Sequence, residues 1–327
     1  MDAMSPPEVQ PCGWGGLCFQ SARTKHVGAA RESRQPRLAE PRNILLGVNR
    51  HIGALCNCLR RSAKECAAGL SGFSSLERDI FVLELGSAFA LLLVLADQCN
   101  VDLPLAVSRK IDLNSKKYPP ALVRGSALKY DAYQEHTGFA KGSKQVTTDG
   151  HDGEAHLMGH KGREWSSRTF EDLRIQLQRF AQDRGWEKFH TPRNICLALS
   201  GEAGELCELF QFKDEYTCAP GLPGWTEEAR DKVAQELSDV SIYLCRLADV
   251  CGVNLPEILQ DERLIHYYRG TQPKTQDSAH EWQKTNRFES WGADGRWGYL
   301  AACLMLGLVV VTSWAQRSQL VGIRGLP

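Results

Sequence analysis

Thr191-Pro192-Arg193-Asn194-Ile195-Cys196-Leu197-Ala198-Leu199-Ser200-Gly201-Glu202-Ala203-Gly204-Glu205-Leu206 decides the architecture. It opens with a threonine able to cap a helix and a proline whose fixed φ suits the first helical position. Leu199, Leu206 and Leu209 then recur at helical spacing, and Glu202 and Glu205, three apart, line one edge of the same helix. Upstream, Thr169 with Asp172 reads as a capping box ahead of Leu173, Leu177, Phe180 and Ala181, in a helix ending near Gly185. Downstream, Gly221, Pro223 and Gly224 break the chain, and Thr226-Glu227-Glu228 starts a long helix to Val250 that Gly252 can close. Pro256 opens a shorter last helix. Strand signals are nearly absent, so the sequence predicts an all-α, antiparallel helical bundle.

The long helix carries a second acid pair, Glu236-Leu237-Ser238-Asp239, beside the apolar run of Val240, Ile242, Leu244 and Leu247. Solvated glutamates on polar helix faces are the bland reading of any such residue. Two carboxylate edges on facing helices, however, converge. Inside a bundle four acids repel and lose hydration unless a divalent cation neutralises them, and hard oxygen ligands suit magnesium or manganese. Gly201, Ala203 and Gly204 leave room for a backbone or a ligand to approach Glu202.

The chain also repeats itself. A shift of 151 positions lays Pro41-Arg42-Asn43-Ile44 on Pro192-Arg193-Asn194-Ile195, and a shift of 152 lays Leu95-Ala96-Asp97 and Leu103-Pro104 on Leu247-Ala248-Asp249 and Leu255-Pro256. Such a period is far too long for a solenoid. The acids are unevenly shared, because His51, Ala54, Glu84 and Ser87 stand where the second copy has Glu202, Glu205, Glu236 and Asp239.

Composition narrows the partners. Thirty-nine Lys and Arg cancel 39 Asp and Glu, and no basic run is interleaved with aromatics, which argues against a nucleic-acid polymer. The 12 cysteines are scattered through apolar patterns without zinc spacing and read as reduced thiols, so the expected location is cytoplasmic. Residues 1–38 read as a disordered tail, with an organelle transit peptide as the alternative. Residues 297–315 carry no charge and are flanked by Arg296 and Arg317, with Trp297, Tyr299 and Trp314 near the ends. That pattern admits a C-terminal membrane anchor, a buried helix or an error in the gene boundary. The expected order is a tail over 1–38, a degenerate repeat over 39–131, a linker over 132–168, a catalytic domain over 169–268, a linker over 269–296 and an apolar segment over 297–316.

Trp186-Glu187-Lys188-Phe189-His190, Pro192-Arg193-Asn194, Glu202-x-x-Glu205, Gly224-Trp225 and Glu236-Leu237-Ser238-Asp239 with Tyr243, in this order, resemble the MazG-type all-α nucleoside triphosphate pyrophosphatases, and among them the dCTP pyrophosphatases. The resemblance implies that Glu202, Glu205, Glu236 and Asp239 hold magnesium, with manganese as a substitute, against the triphosphate of a dNTP. Family members release a monophosphate and pyrophosphate, which implies a role in cleaning the nucleotide pool. It also implies that Trp186, His190 and Tyr243 shape the nucleoside pocket; taken alone, Trp186 reads as a core aromatic and His190 as a helix-end residue. Leu177 replaces a histidine of the dCTP enzymes, and Phe212 replaces a tryptophan, keeping a ring for stacking.

The family's phosphate-holding segment is missing after Pro256 and occurs instead in the first half, as Lys110-Ile111-Asp112-Leu113-Asn114 and Lys116-Lys117-Tyr118-Pro119. Family sites form where protomers meet. The first half is therefore expected to act as a partner subunit, either in an intrachain pseudo-dimer or in a homo-oligomer, bringing Lys110, Asp112, Asn114 and Lys117 to the phosphates or the metal. Three alternatives stay open: a decayed duplicate kept for packing, two genes joined in error, and a catalytically weak binding or oligomerisation module.

Overall fold

Short polar side chains set most helix starts in the computed structural model, which describes residues 13–33, 35, 38–61, 68–126 and 164–269. The first half supplies α1 (Phe19–Glu32), α2 (Pro41–Arg61), α3 (Ser75–Gln98), α4 (Leu103–Lys117) and the short α5 (Pro120–Val123). The second supplies α6 (Phe170–Asp183), α7 (Pro192–Phe210), α8 (Glu227–Val250), α9 (Leu255–Leu259) and α10 (Glu262–Arg269). Thr169, Thr191 and Thr226 accept from the backbone N–H groups of Asp172, Asn194 and Ala229, so each threonine satisfies a donor the helix leaves open. Asp102 and Asn254 cap α4 and α9 in the same way, each followed by a leucine and a proline. No strand occurs among the described residues; Cys18 and Thr169 form an isolated antiparallel bridge.

α1 lies within the stretch for which the sequence predicts a disordered tail. Its inward face is Phe19, Ala22, His26, Val27, Ala29 and Ala30. Alanines and a histidine make a weak hydrophobic stripe, yet they let α1 sit close to α3, and Phe19 stacks on Phe170 at 4.1 Å between ring centres. The end of the expected first linker is likewise structured: Trp165 is buried under the Arg23 guanidinium, and Ser166 donates its backbone N–H to Asp102. Residues 132–163, 270–296 and the apolar stretch 297–316 lie outside the described residues.

The described residues fall in one compact unit, and a single core draws on both halves, so these do not stand as separate domains. α2 packs on α3 and on α7, and α7 packs on α8. The C-terminal helices of the two halves are exchanged: α4 lies along α8, while α9 and α10 lie against α3. Gly86 in α3 permits the second of these crossings, since a Cβ there would fall 2.2 Å from a methyl of Ile258. α3 is apolar and long enough to cross a membrane, but 72% of its most apolar window is buried, as befits the central helix of this core.

The contacts between halves come in pairs with partners exchanged. Trp14 donates its backbone N–H to Glu171, and Trp165 donates its own to Gln20, both at 2.9 Å. Arg23 pairs with Asp97 and lies over Trp165; Arg174 pairs with Asp249 and lies over Trp14. α1 and α6 open on Phe19 and Phe170, and α3 and α8 on Ser75 and Glu227.

Candidate active site

α7 and α8 each turn a pair of acids toward the other. Carboxylate oxygens of Glu202, Glu205 and Glu236 lie within 4.8 Å of one another. Asp239, one helical turn beyond Glu236, is buried and ion-paired with Lys110 of α4. The quartet singled out in the sequence thus occupies one site, together with one of the expected basic residues. Gly201 and Gly204 do not admit a neighbouring backbone; a Cβ on either would meet nothing within 4 Å, so they leave that surface of α7 bare.

The electrostatics are those of crowded acids short of water. Burial pushes the Glu202 carboxyl up to about 7, with Asp239, Glu205 and Glu236 adding repulsion and Lys110 offsetting part of it. Burial also raises Glu236 and Asp239, against the opposing pull of Lys110. For Lys110 burial alone would lower the ammonium's pKa, but Asp239, Glu236 and Glu202 together leave it raised. Oε2 of Glu236 is buried without a hydrogen-bond partner, an acceptor left for a ligand to satisfy. Three convergent carboxylates, a fourth next to them and an orphaned oxygen fit a hard divalent cation. Glu208 is exposed, although close enough to Glu236 to raise it.

Around this cluster stands an aromatic group. Trp186 is half-buried, meets Tyr118 and Phe180 edge-on at 5.5 and 5.9 Å, and donates its indole N–H to the Ser126 carbonyl. His190 lies 6.5 Å from the Trp186 ring and accepts at Nδ1 from Arg246. Burial and the adjacent guanidinium lower its pKa to about 4, so near neutral pH the imidazole is uncharged with its proton on Nε2. Tyr243 is half-buried; burial, then Glu202 and Asp239, raise its phenol. Lys117 lies over Tyr118 and close enough to Asp239 to lower that carboxyl. Asn114 is half-buried on α4 between the two lysines. Phe212 follows α7 with a left-handed φ of 58° and is 98% exposed, while Trp225 packs on Phe210.

Arg246 and Tyr118 take parts in the site that the sequence did not announce. Arg246 ties His190 to Asp249, and a lone arginine in an apolar helix run could have signalled such a buried partner. Tyr118 joins the Trp186 group from the other half, where only its place in the Lys-Lys-Tyr-Pro segment marked it. The corresponding place in the first half is built differently. There His51 Nδ1 lies 2.5 Å from Glu84, with Arg50 at 3.7 Å, so a single carboxylate is paired with side chains of its own half.

No family model matches the chain. It is similar to dCTP pyrophosphatase 1 of Bos taurus, with 42% identity over 122 residues that cover 35% of this chain and 71% of that protein. The dCTP pyrophosphatase 1 of Homo sapiens is 52% identical over 88 residues, 27% of this chain and 51% of the relative. That of Mus musculus is 43% identical over 116 residues, 33% and 67% respectively.

Proposed function

This chain belongs to the dCTP pyrophosphatase family, and we propose that it hydrolyses dCTP or a base-modified dCTP to the monophosphate and pyrophosphate at one centre per chain. The observation that carries this reading is the convergence of Glu202, Glu205 and Glu236 with the Asp239–Lys110 pair. The first half contributes the basic helix and the second the acids. The exchanged packing of α4 and α9–α10, and the paired contacts between halves, support a duplicated unit arranged as an intrachain pseudo-dimer, since swapped reciprocal contacts are the mark of two-fold association.

Glu202, Glu205, Glu236 and Asp239 would hold magnesium, or manganese in its place. When bound, the ion offsets charge on the transferring phosphoryl group and acidifies the attacking water. Lys110 screens Asp239 in the free chain; with Asp239 engaged, its ammonium is released to a phosphate oxygen. Asn114 and Lys117, one and two turns along α4, present a donor and a second cation from the same helix face. Trp186 and Tyr118 offer ring faces to the base, and neutral His190 keeps an N–H donor without adding charge. Aromatic stacking accepts any base, so selection for cytosine falls to the polar groups beside the rings. Among the described residues, the corresponding place in the first half holds the His51–Glu84 pair and no converging set of carboxylates.

The test is to incubate the purified chain with each dNTP and magnesium and to assay monophosphate and pyrophosphate, with Glu202→Ala as the control for contaminating hydrolases. Fastest release from a cytosine nucleotide, lost in Glu202→Ala, is the expected result. Diphosphate and orthophosphate as products, or full turnover by the variant, would overturn the reading.

A further inference from the structure

Cys56 of α2 and Cys196 of α7 face each other across the contact between the two halves, with their Sγ atoms 3.3 Å apart. Cys56 is half-buried and also touches the Ser200 hydroxyl at 3.3 Å, while Cys196 is almost fully buried behind it. Both are free thiols. We propose that Cys56 and Cys196 form a peroxide-sensitive dithiol whose oxidation links α2 to α7 and fastens the halves together.

Geometry supplies the main argument. A disulfide needs sulfurs about 2.05 Å apart, so the pair has to close by a little over 1 Å to join. The two thiols differ as an attacking and a resolving pair must. Contact with Cys196 lowers Cys56 to about 6, outweighing burial, with Ser200 assisting; the same contact and burial raise Cys196. The Cys56 thiolate attacks one oxygen of a hydroperoxide, the O–O bond breaks, and the departing oxygen takes a proton to leave as water or alcohol. Cys56 is then a sulfenic acid. Cys196 sulfur attacks it, the S–OH bond breaks, and the hydroxide leaves as water with the Cys196 proton. Two thiols have lost two electrons and two protons in total, and the peroxide has been reduced.

The link would act on the acid-bearing helix, since Cys196 sits on α7 upstream of Glu202 and Glu205. It would close a loop between positions 140 apart in sequence. Nothing in this proposal depends on the chemistry at the acidic cluster, so its failure and that of the pyrophosphatase reading are separable.

The experiment treats the full chain with hydrogen peroxide, blocks remaining thiols with iodoacetamide and maps the peptides by mass. A Cys56–Cys196 linked pair, removed by dithiothreitol and accompanied by a Tm rise of roughly 5–10 °C, is expected. Cys196→Ser should abolish the link and let dimedone trap Cys56 as a sulfenic acid, whereas Cys58→Ser should leave the link intact. Both thiols recovered alkylated, Cys56 joined to Cys58 instead, or Cys56 driven only to sulfinic acid in the parent chain would each overturn the proposal.

Discussion

Replacing Glu202 with glutamine should stabilise the metal-free chain and remove its response to magnesium. The Glu202 carboxyl sits at about 7 in the fold against an ordinary value of 4.5, with burial as the main cause and neighbouring acids next. A carboxyl raised by folding binds more protons in the folded than in the unfolded chain between those two values. Stability therefore falls as pH climbs from about 4.5 towards 7, and the whole cost is present above that. The full shift corresponds to about 3 kcal/mol. Because Glu202 is half-buried and its neighbours can relax into solvent, about 1–2 kcal/mol is the expected share. Thermal unfolding at pH 8 without metal should give Glu202→Gln a Tm higher than the parent by roughly 2–6 °C, and the difference should vanish near pH 4. Magnesium should raise the parent's Tm at pH 8 by preferential binding to the folded state, and raise it less in the variant. A variant less stable than the parent at pH 8 in the absence of metal, or one with an undiminished magnesium response, would refute the argument.

Lys110→Met should lower kcat/KM about a hundredfold in the dNTP assay, since a charge held beside the phosphates is lost. It should also destabilise the metal-free chain by about 1–3 kcal/mol by leaving Asp239 buried and unpaired, an effect that added magnesium partly restores in a thermal melt. Asn114→Ala with Lys117→Ala should reduce turnover while leaving the melt unchanged, because Lys117 is exposed and Asn114 half so; equal kinetics would remove these two residues from the site. Gly86→Ala should cost about 1–3 kcal/mol in chemical denaturation, as its methyl group would collide with Ile258 and force α9 from α3.

Those residues also mark how far the sequence could be read. The second-half helices follow from local chemistry: Thr191 with Pro192, Thr226 before two glutamates and Gly252 in the left-handed region set boundaries that need no tertiary knowledge. The acid quartet was legible because spacing of three places two carboxylates on one edge whatever surrounds them. α1 was not, since half of its packing face is alanine and one residue of it a histidine, and its burial is supplied by α3 and α10. A phenylalanine at 19, in register with Phe170, was the available clue. The aromatic group was half legible: Trp186 stood out, but Tyr118 reaches it from the other half, a long-range meeting no local pattern encodes. Phe212 is a ring chosen by position that the turn after α7 leaves exposed to solvent.

Because α4 packs on the second half and α9 and α10 on the first, neither half is expected to stand as a free fragment. Severed from each other, the α8 groove would lose its basic rod and α3 its cover, baring oily faces to water. A single backbone nick between the halves should instead leave both pieces clasped and still working, and fragments expressed side by side should find each other where either alone precipitates.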